Sequence, residues 1–175
     1  MGNSTHRMFL ALWPDEAVRA ALCARTEDWD WGEGARRYAA PDLHLTLHFL
    51  GTVPDARLPE LREEFALAFE PFDWALDAPG LWPHGLAVLG CQETPPPLLE
   101  LQRRLGLAVQ RLHLPLELRG FRPHVTLARH ALHACAPATM VPVRWRVEGY
   151  CLARSTGNPA ARYEIVQRYP GSATA

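Results

Sequence analysis

The apolar residues at the start of the chain are spaced first as in a strand and then as in a helix. The run "RMFLALW", residues 7–13, is short and continuously apolar, which is typical of a buried strand. Pro14 follows, and the next segment carries Val18, Ala21 and Leu22 at helical spacing. The pattern therefore predicts a strand followed by a helix.

A second strand is predicted at "HLTLHFLG", residues 44–51, with Gly51 to Pro54 breaking it. Beyond this break the apolar spacing is again helical. The predicted second helix has one stripe, formed by Leu58, Leu61, Phe65 and Phe69.

The second half of the chain repeats this order. "FDWALDAPGLWPHGLAVLGC" predicts two strands around a Pro/Gly/His turn, and "TPPPLLELQRRLGLAVQRL" predicts a third helix entered through prolines. "HVTLAR", residues 124–129, is another apolar strand, and residues 130–142 are predicted to be loop-like. "RWRVEGYCLARS" and "ARYEIVQRYP" then predict a closing strand pair around "TGNPA".

Strand, helix and histidine-bearing strand thus occur twice, which indicates a duplicated α+β unit. We expect a single bilobal domain over residues 1–175, with flexible tails at 1–6 and 171–175.

Composition and charge narrow the class of protein. The chain has 175 residues, 48% hydrophobic and 21% charged, as in ordinary globular proteins. The net charge of -1 excludes wholesale electrostatic attraction to nucleic acid, but a local basic groove remains compatible with it. No apolar run is long enough to span a membrane, and the four scattered cysteines match neither zinc-ligand spacing nor a disulfide scaffold. We expect a soluble, cytoplasmic monomer.

Two strands carry polar side chains that a buried strand does not need. Side chains alternate across a strand, so His44, Thr46 and His48 are predicted on one face, opposite the leucines. In the second strand His124 and Thr126 share a face in the same way. Each strand therefore has one apolar face for a core and one face with an imidazole beside a hydroxyl.

Two such strands, facing each other across a cleft, could carry out acid–base catalysis. An unperturbed imidazole titrates near pH ~6.5, so one histidine can be neutral while the other is protonated. The hydroxyls could donate hydrogen bonds to a phosphoryl oxygen. This arrangement requires no metal ion and no cofactor. A single H-x-T strand is usually explained by packing, and it is the matched pair that indicates function.

The residues of the two strands also carry a resemblance to a known family. "HLTLHFLG" and "RPHVTLAR" resemble the paired H-x-T-L motifs of the two-histidine (2H) phosphoesterases, and are most similar to those of the RNA 2′,3′-cyclic phosphodiesterases, once described as 2′-5′ RNA ligases. "RMFLALWP", "PPPLLELQRRL" and "LARSTGNPAARYEIVQRYP" resemble other parts of that family, so the similarity covers most of the chain.

The resemblance implies a fold and a reaction. The fold would be bilobal α+β, with two antiparallel sheets lining a central groove and helices packed outside. The reaction would be metal-independent hydrolysis of a 2′,3′-cyclic phosphate at an RNA end, leaving a 2′-phosphate, with weak 2′-5′ ligation in reverse. In this sequence His44 would be the proton donor, His124 the proton acceptor, and Thr46 and Thr126 the groups that bind phosphate.

The sequence leaves the roles of two further residues, Arg129 and His48, open. Arg129 corresponds to the arginine that closes the family's second motif, which favours a phosphate contact, with a structural salt bridge as the alternative. Simple alternation places Arg129 with Val125 and Leu127, away from His124, unless the strand ends or bulges after Leu127 or the side chain reaches round the rim. His48 is predicted either to contact RNA at the edge of the groove or to be a solvated surface residue.

Other functions remain compatible with the sequence. The partner of the site would be RNA with a 2′,3′-cyclic phosphate end, or a related small substrate such as a cyclic nucleotide or a 2′-5′ oligoadenylate. A protein that binds or ligates RNA ends, with incidental hydrolysis, is a further alternative. Neither a membrane nor an obligate protein partner is expected.

Overall fold

The computed structural model describes residues 4–172. These residues form ten strands and three α-helices, in the order β1 (Thr5–Leu12), α1 (Glu16–Thr26), β2 (Arg36–Arg37), β3 (Leu45–Pro54), α2 (Leu58–Glu64), β4 (Phe72–Leu76), β5 (Ala78–Trp82), β6 (Leu86–Gly90), α3 (Pro96–Arg111), β7 (His124–Arg129), β8 (Val143–Val147), β9 (Gly149–Ser155) and β10 (Tyr163–Pro170).

Most strands belong to one antiparallel sheet with the order β10-β9-β1-β3-β7-β6-β5, and β2 pairs with β7. The sheet consists of two four-stranded halves, one containing β3 and the other containing β7. A single residue pair, Leu45 with Val125, joins them. In each half a strand, a helix and an antiparallel motif strand follow in sequence, as β1-α1-β3 and as β6-α3-β7.

A second, two-stranded antiparallel sheet is formed by β4 and β8. The main core lies between the sheets and the helices, and α3 contributes Leu98, Leu101 and Leu105, all at most 2% exposed. The side chain of Asp15 caps α1 by accepting a hydrogen bond from the amide of Val18 at 2.8 Å. The expected α+β class with two antiparallel sheets is confirmed.

Four local predictions are wrong. The segment "FDWALDAPGLWPHGLAVLGC" forms three strands and not two, because β4 pairs with β8 whereas β5 and β6 pair around the turn. Gly51 does not end β3: with φ of 74° it sits inside a strand that continues to Pro54. Helix α2 ends at Glu64, so Phe69 is buried from beyond the helix. The segment "RWRVEGYCLARS" is two strands, because β8 pairs with β4 in the small sheet whereas β9 pairs with β1 and β10.

Both motif strands contain an extra residue at the same place. In β3, Thr46 pairs with Ala11 and His48 with Leu10, so Leu47 has no opposite residue on β1. In β7 the neighbouring pairs likewise skip Leu127 between Thr126 and Ala128. A β-bulge of this kind shifts the alternation of side chains by one position. The faces of the residues that follow Leu47 in β3 and Leu127 in β7 are therefore reversed, until a second bulge at Leu50 shifts β3 back.

The ends of the chain are partly described. Thr5 and His6 fall within the predicted flexible tail but lie in β1. Gly171 and Ser172 donate backbone hydrogen bonds to Glu148 and Phe69. The remainder of the expected tails, residues 1–3 and 173–175, lies outside the described residues. No helix within residues 4–172 is both long and apolar enough to cross a membrane.

Candidate active site

A large cavity of about 1340 Å³ runs along the seam between the two halves of the sheet. His44 and Thr46 of the first motif line it, and so do His124 and Thr126 of the second. The structure therefore brings together the four residues that the paired motifs predicted. Other parts of the wall come from β1, the loop before β7, the turn after β5 and the loop between β9 and β10.

The two histidines are held in the same way. The Nδ1 atom of His44 lies 2.7 Å from the carbonyl oxygen of Asp42, and that of His124 lies 2.7 Å from the carbonyl oxygen of Arg122. In each case the partner is the carbonyl two residues earlier in the chain. A carbonyl oxygen only accepts, so each Nδ1 carries the proton and donates it. Each Nε2 is then left to give or take a proton.

His44 is enclosed by three aromatic rings. Trp13 stacks on it with 5.0 Å between ring centroids and 6° between planes, Tyr163 meets it edge-on at 4.9 Å, and Phe9 lies at 5.1 Å. Burial lowers the pKa of His44 to about 4, and the nearby charge of His124 adds to this lowering. In the free protein at neutral pH this imidazole is therefore uncharged.

His124 has a different surrounding. The ring of Trp82 lies 4.4 Å from it, and the guanidinium of Arg122 lies 4.2 Å from the centre of the Trp82 ring. Burial lowers the pKa of His124, and the charges of Arg122 and Arg129 lower it further. The site is thus apolar beside the first histidine and cationic beside the second.

Arg129 reaches the same cavity because of the bulge at Leu127. The extra residue puts Ala128 in the core, fully buried, and turns the exposed Arg129 to the side of His124. Its Nε donates a hydrogen bond of 2.7 Å to the hydroxyl of Tyr38. The sequence left open a bulge after Leu127; the structure shows a bulge, but Leu127 is itself the extra residue. No ion pair of Arg129 occurs among the described residues.

The position of His48 differs from the one that simple alternation predicts. Alternation predicted it beside His44, but the bulge at Leu47 turns its ring towards α3, where it is 7% exposed. Its Nε2 lies 2.7 Å from the carbonyl oxygen of Gln102, and its ring packs against Gly106. His48 lines the cavity but is buried, so it is not a solvated surface residue; its contact with RNA at the edge of the groove stays a prediction. Phe49, which follows it, is exposed into the cavity instead.

Several residues of the site were not predicted from the sequence. Trp13 and Tyr163 enclose His44, and Arg162 lies over the ring of Tyr38 at 5.0 Å. They come from segments distant in the chain, and strand order alone brings them to the motif, so no local pattern could have identified them. Within residues 4–172, no three His, Cys, Asp or Glu side chains lie together as a metal ion would require.

Comparison with known proteins gives a consistent result. The family model of the 2′-5′ RNA ligase superfamily matches residues 15–159. The RNA 2′,3′-cyclic phosphodiesterase of Thermus thermophilus is 31% identical over 180 residues, covering 93% of this chain and 89% of that protein. The enzyme of the same name from Escherichia coli is 36% identical over 104 residues, covering 58% of this chain and 59% of that protein.

Solved structures agree with the sequence relatives. The crystal structure of Escherichia coli LigT complexed with 3′-AMP superimposes with a TM-score of 0.83 at 26% identity, covering 97% of this chain and all of that one. The family match and the Thermus relative each extend over most of the chain. The chain belongs to the 2′-5′ RNA ligase superfamily, the two-histidine phosphoesterases.

Proposed function

We propose that the protein is an RNA 2′,3′-cyclic phosphodiesterase that hydrolyses the cyclic phosphate to a 2′-phosphate. The observation that carries this proposal is the matched tethering of His44 and His124, each by Nδ1 to a carbonyl, in the wall of one cavity. Two imidazoles with their Nε2 atoms free are suited to reacting as acid and base on opposite sides of a phosphorus atom.

In the proposed reaction, water attacks the phosphorus while the bond from phosphorus to O3′ breaks. His124, neutral in the free protein, accepts the proton of the water at Nε2. His44 donates a proton from Nε2 to the departing O3′. The products are a 2′-phosphate and a free 3′-hydroxyl, and both histidines exchange protons with solvent before the next cycle.

His44 must be protonated when substrate is bound, although burial holds its pKa at about 4 in the free protein. The cyclic phosphate is an anion, and an anion beside an imidazole raises the pKa of that group. Substrate binding therefore supplies the charge that permits His44 to take up its proton. Thr46, Thr126 and Arg129 would hold the non-bridging oxygens, whose negative charge increases in the transition state.

Two further facts support an RNA substrate. The Thermus and Escherichia coli relatives are named for the 2′,3′-cyclic phosphodiesterase activity on RNA. The cavity of about 1340 Å³ exceeds the roughly 300–1,000 Å³ typical of small-ligand pockets. More than one nucleotide can therefore be accommodated beside the two histidines.

The test is hydrolysis of a short oligoribonucleotide ending in a 2′,3′-cyclic phosphate, with EDTA present. His44→Asn and His124→Asn should each lower kcat/KM by ~10²–10⁴-fold. The matched control is His113→Asn, because His113 is exposed, lies outside the cavity and has φ of 54°, a backbone conformation that Asn tolerates.

The product and the metal dependence separate the alternatives. A 2′-phosphate formed at the same rate with and without EDTA supports the proposal. Turnover that requires added metal, or RNA binding without turnover, overturns it. Rapid hydrolysis of a cyclic mononucleotide or a 2′-5′ oligoadenylate, with none of the RNA end, would assign the site to a small substrate instead.

A further inference from the structure

Tyr38 holds two arginines at one edge of the cavity. Its hydroxyl accepts the hydrogen bond from Nε of Arg129 at 2.7 Å, and the guanidinium of Arg162 lies 5.0 Å from the centre of its ring. The guanidinium carbon of Arg129 is 6.0 Å from the same centre. All three residues line the cavity. The side chain of Tyr38 therefore contacts both guanidinium groups beside the proposed reaction centre.

Neither cation is neutralised by a carboxylate. Within residues 4–172 no ion pair includes Arg129 or Arg162, although Glu164, two residues from Arg162, pairs with Arg154 at 2.8 Å. Burial raises the pKa of Asp42 and the charge of Arg162 lowers it, but the two residues form no ion pair. Two guanidinium groups that line a cavity and form no ion pair are suited to binding anions.

The backbone that carries Arg162 is well fixed. Arg162 ends the loop between β9 and β10, and its carbonyl accepts a hydrogen bond of 2.9 Å from the amide of Thr156. The hydroxyl of Thr156 accepts one of 2.9 Å from the amide of Asn158. Arg162 is followed directly by Tyr163, whose ring packs against His44. The position of Arg162 is therefore set relative to the proposed acid.

We propose that Arg162, oriented by Tyr38, binds the phosphate on the 5′ side of the terminal nucleotide. This rests on the proposed function, in which Arg129 contacts the reacting cyclic phosphate. Successive phosphates of an RNA strand are separated by one ribose, so a cation that shares an aromatic ring with Arg129 is suited to the next phosphate. The subsite favours a terminal nucleotide that bears a 5′-phosphate over one that ends in a 5′-hydroxyl.

The competing residue is Arg122. It also lacks an ion pair among the described residues and lines the cavity, but it lies on Trp82, which contacts His124. It is therefore placed at the second histidine and separate from the pair on Tyr38. Comparison of variants at the two arginines decides between them.

The experiment uses two substrates that differ by one phosphate: a nucleoside 2′,3′-cyclic phosphate with a 5′-hydroxyl, and the same compound with a 5′-phosphate. The wild type should have a kcat/KM about tenfold higher for the 5′-phosphorylated compound, as expected for one charge-assisted contact. Arg162→Gln should abolish that preference. Tyr38→Phe, which removes the acceptor for Arg129 but keeps the ring beneath Arg162, should retain the preference while lowering kcat/KM on both substrates.

Arg144→Gln is the matched control, because Arg144 is exposed on β8, outside the cavity, and its substitution removes the same charge. Loss of preference in Arg122→Gln but not in Arg162→Gln would overturn the assignment. A wild type that hydrolyses both substrates equally would overturn the subsite while leaving the proposed function intact. A wild type that hydrolyses neither these compounds nor an RNA end would overturn the proposed function itself.

Discussion

The indole of Trp13 lies parallel to the imidazole of His44, with 5.0 Å between the ring centroids and 6° between the planes. Trp13 belongs to the segment between β1 and α1, whereas His44 precedes β3, so the stack depends on the pairing of those two strands. It covers one face of the imidazole and excludes water from it. The contact contributes to the burial that lowers the pKa of His44.

Replacement of Trp13 by leucine should raise the pKa of His44. Burial is the largest cause of the low value, and removing the indole lets water reach the ring. The change can be measured by NMR titration of the His44 ring. The control is Trp31→Leu, which disturbs another stacked pair, Trp29 and Trp31, outside the cavity. An unchanged or lower pKa in the Trp13 variant would show that the indole mainly stabilises the charged imidazole.

The pH dependence of kcat/KM should be bell-shaped, with its maximum on the acid side of pH 6.5. The productive free protein carries one proton on the histidine pair, and burial lowers the pKa of both members, that of His44 to about 4. The profile of kcat should lie at higher pH, because the bound anion raises both values. Initial rates from pH 4 to 9 test this. A kcat/KM maximum above pH 6.5 would contradict it.

The free energy of unfolding should fall as the pH decreases from about 6.5 towards 4. His44, His48 and His124 all have a lowered pKa in the folded state, mainly through burial. Below pH ~6.5 the unfolded chain binds more protons than the folded one, so acid favours unfolding. Urea unfolding at pH 7 and pH 5 measures the difference. It should be smaller in His44→Asn, and an equal difference in that variant would argue against this origin.

His48→Ala should lower stability by about 2 kcal/mol but leave kcat/KM close to that of the wild type. The substitution leaves a void under α3 and removes the hydrogen bond to Gln102. Urea unfolding and the RNA-end assay measure the two quantities. A large loss of kcat/KM in a stably folded His48→Ala protein would return His48 to the active site.

Gly106→Ala provides a second test of the same packing. A Cβ at Gly106 would lie 3.2 Å from Cε1 of His48, closer than packed atoms accept easily. In the wild type the added methyl group should destabilise the protein. In His48→Ala the crowding disappears, and alanine should stabilise the helix by up to about 1 kcal/mol. If Gly106→Ala has the same effect in both backgrounds, the two side chains are not in contact.

The sequence predicted the two motif strands and their exposed faces as far as the third motif position, but not beyond it. Alternation of apolar residues is a local signal, and it places His44, Thr46, His124 and Thr126 correctly in one cavity. The bulges, by contrast, are not determined by the local sequence. They arise from pairing with β1 and β6, and they explain why His48 is buried and Arg129 is exposed to the cavity.

The sequence did not predict the division between β8 and β9, for a similar reason. "RWRVEGYCLARS" has strand character throughout, and only the partners of its two parts distinguish them. Trp74 pairs with Trp145 in the small sheet, whereas Leu10 pairs with Leu152 in the large one. Which strands become neighbours is decided by packing of the entire chain.

Between its two motif strands the large sheet is held by one residue pair, Leu45 and Val125. The candidate reaction centre thus lies where only one residue pair connects the two motif strands of the large sheet. A phosphate bound by residues of both motif strands would connect the two halves of the sheet and fix the width of the cleft. In the proposed enzyme, bound substrate would stabilise the arrangement of the two halves that acts on it. Release of the product after hydrolysis of the cyclic phosphate would remove that connection.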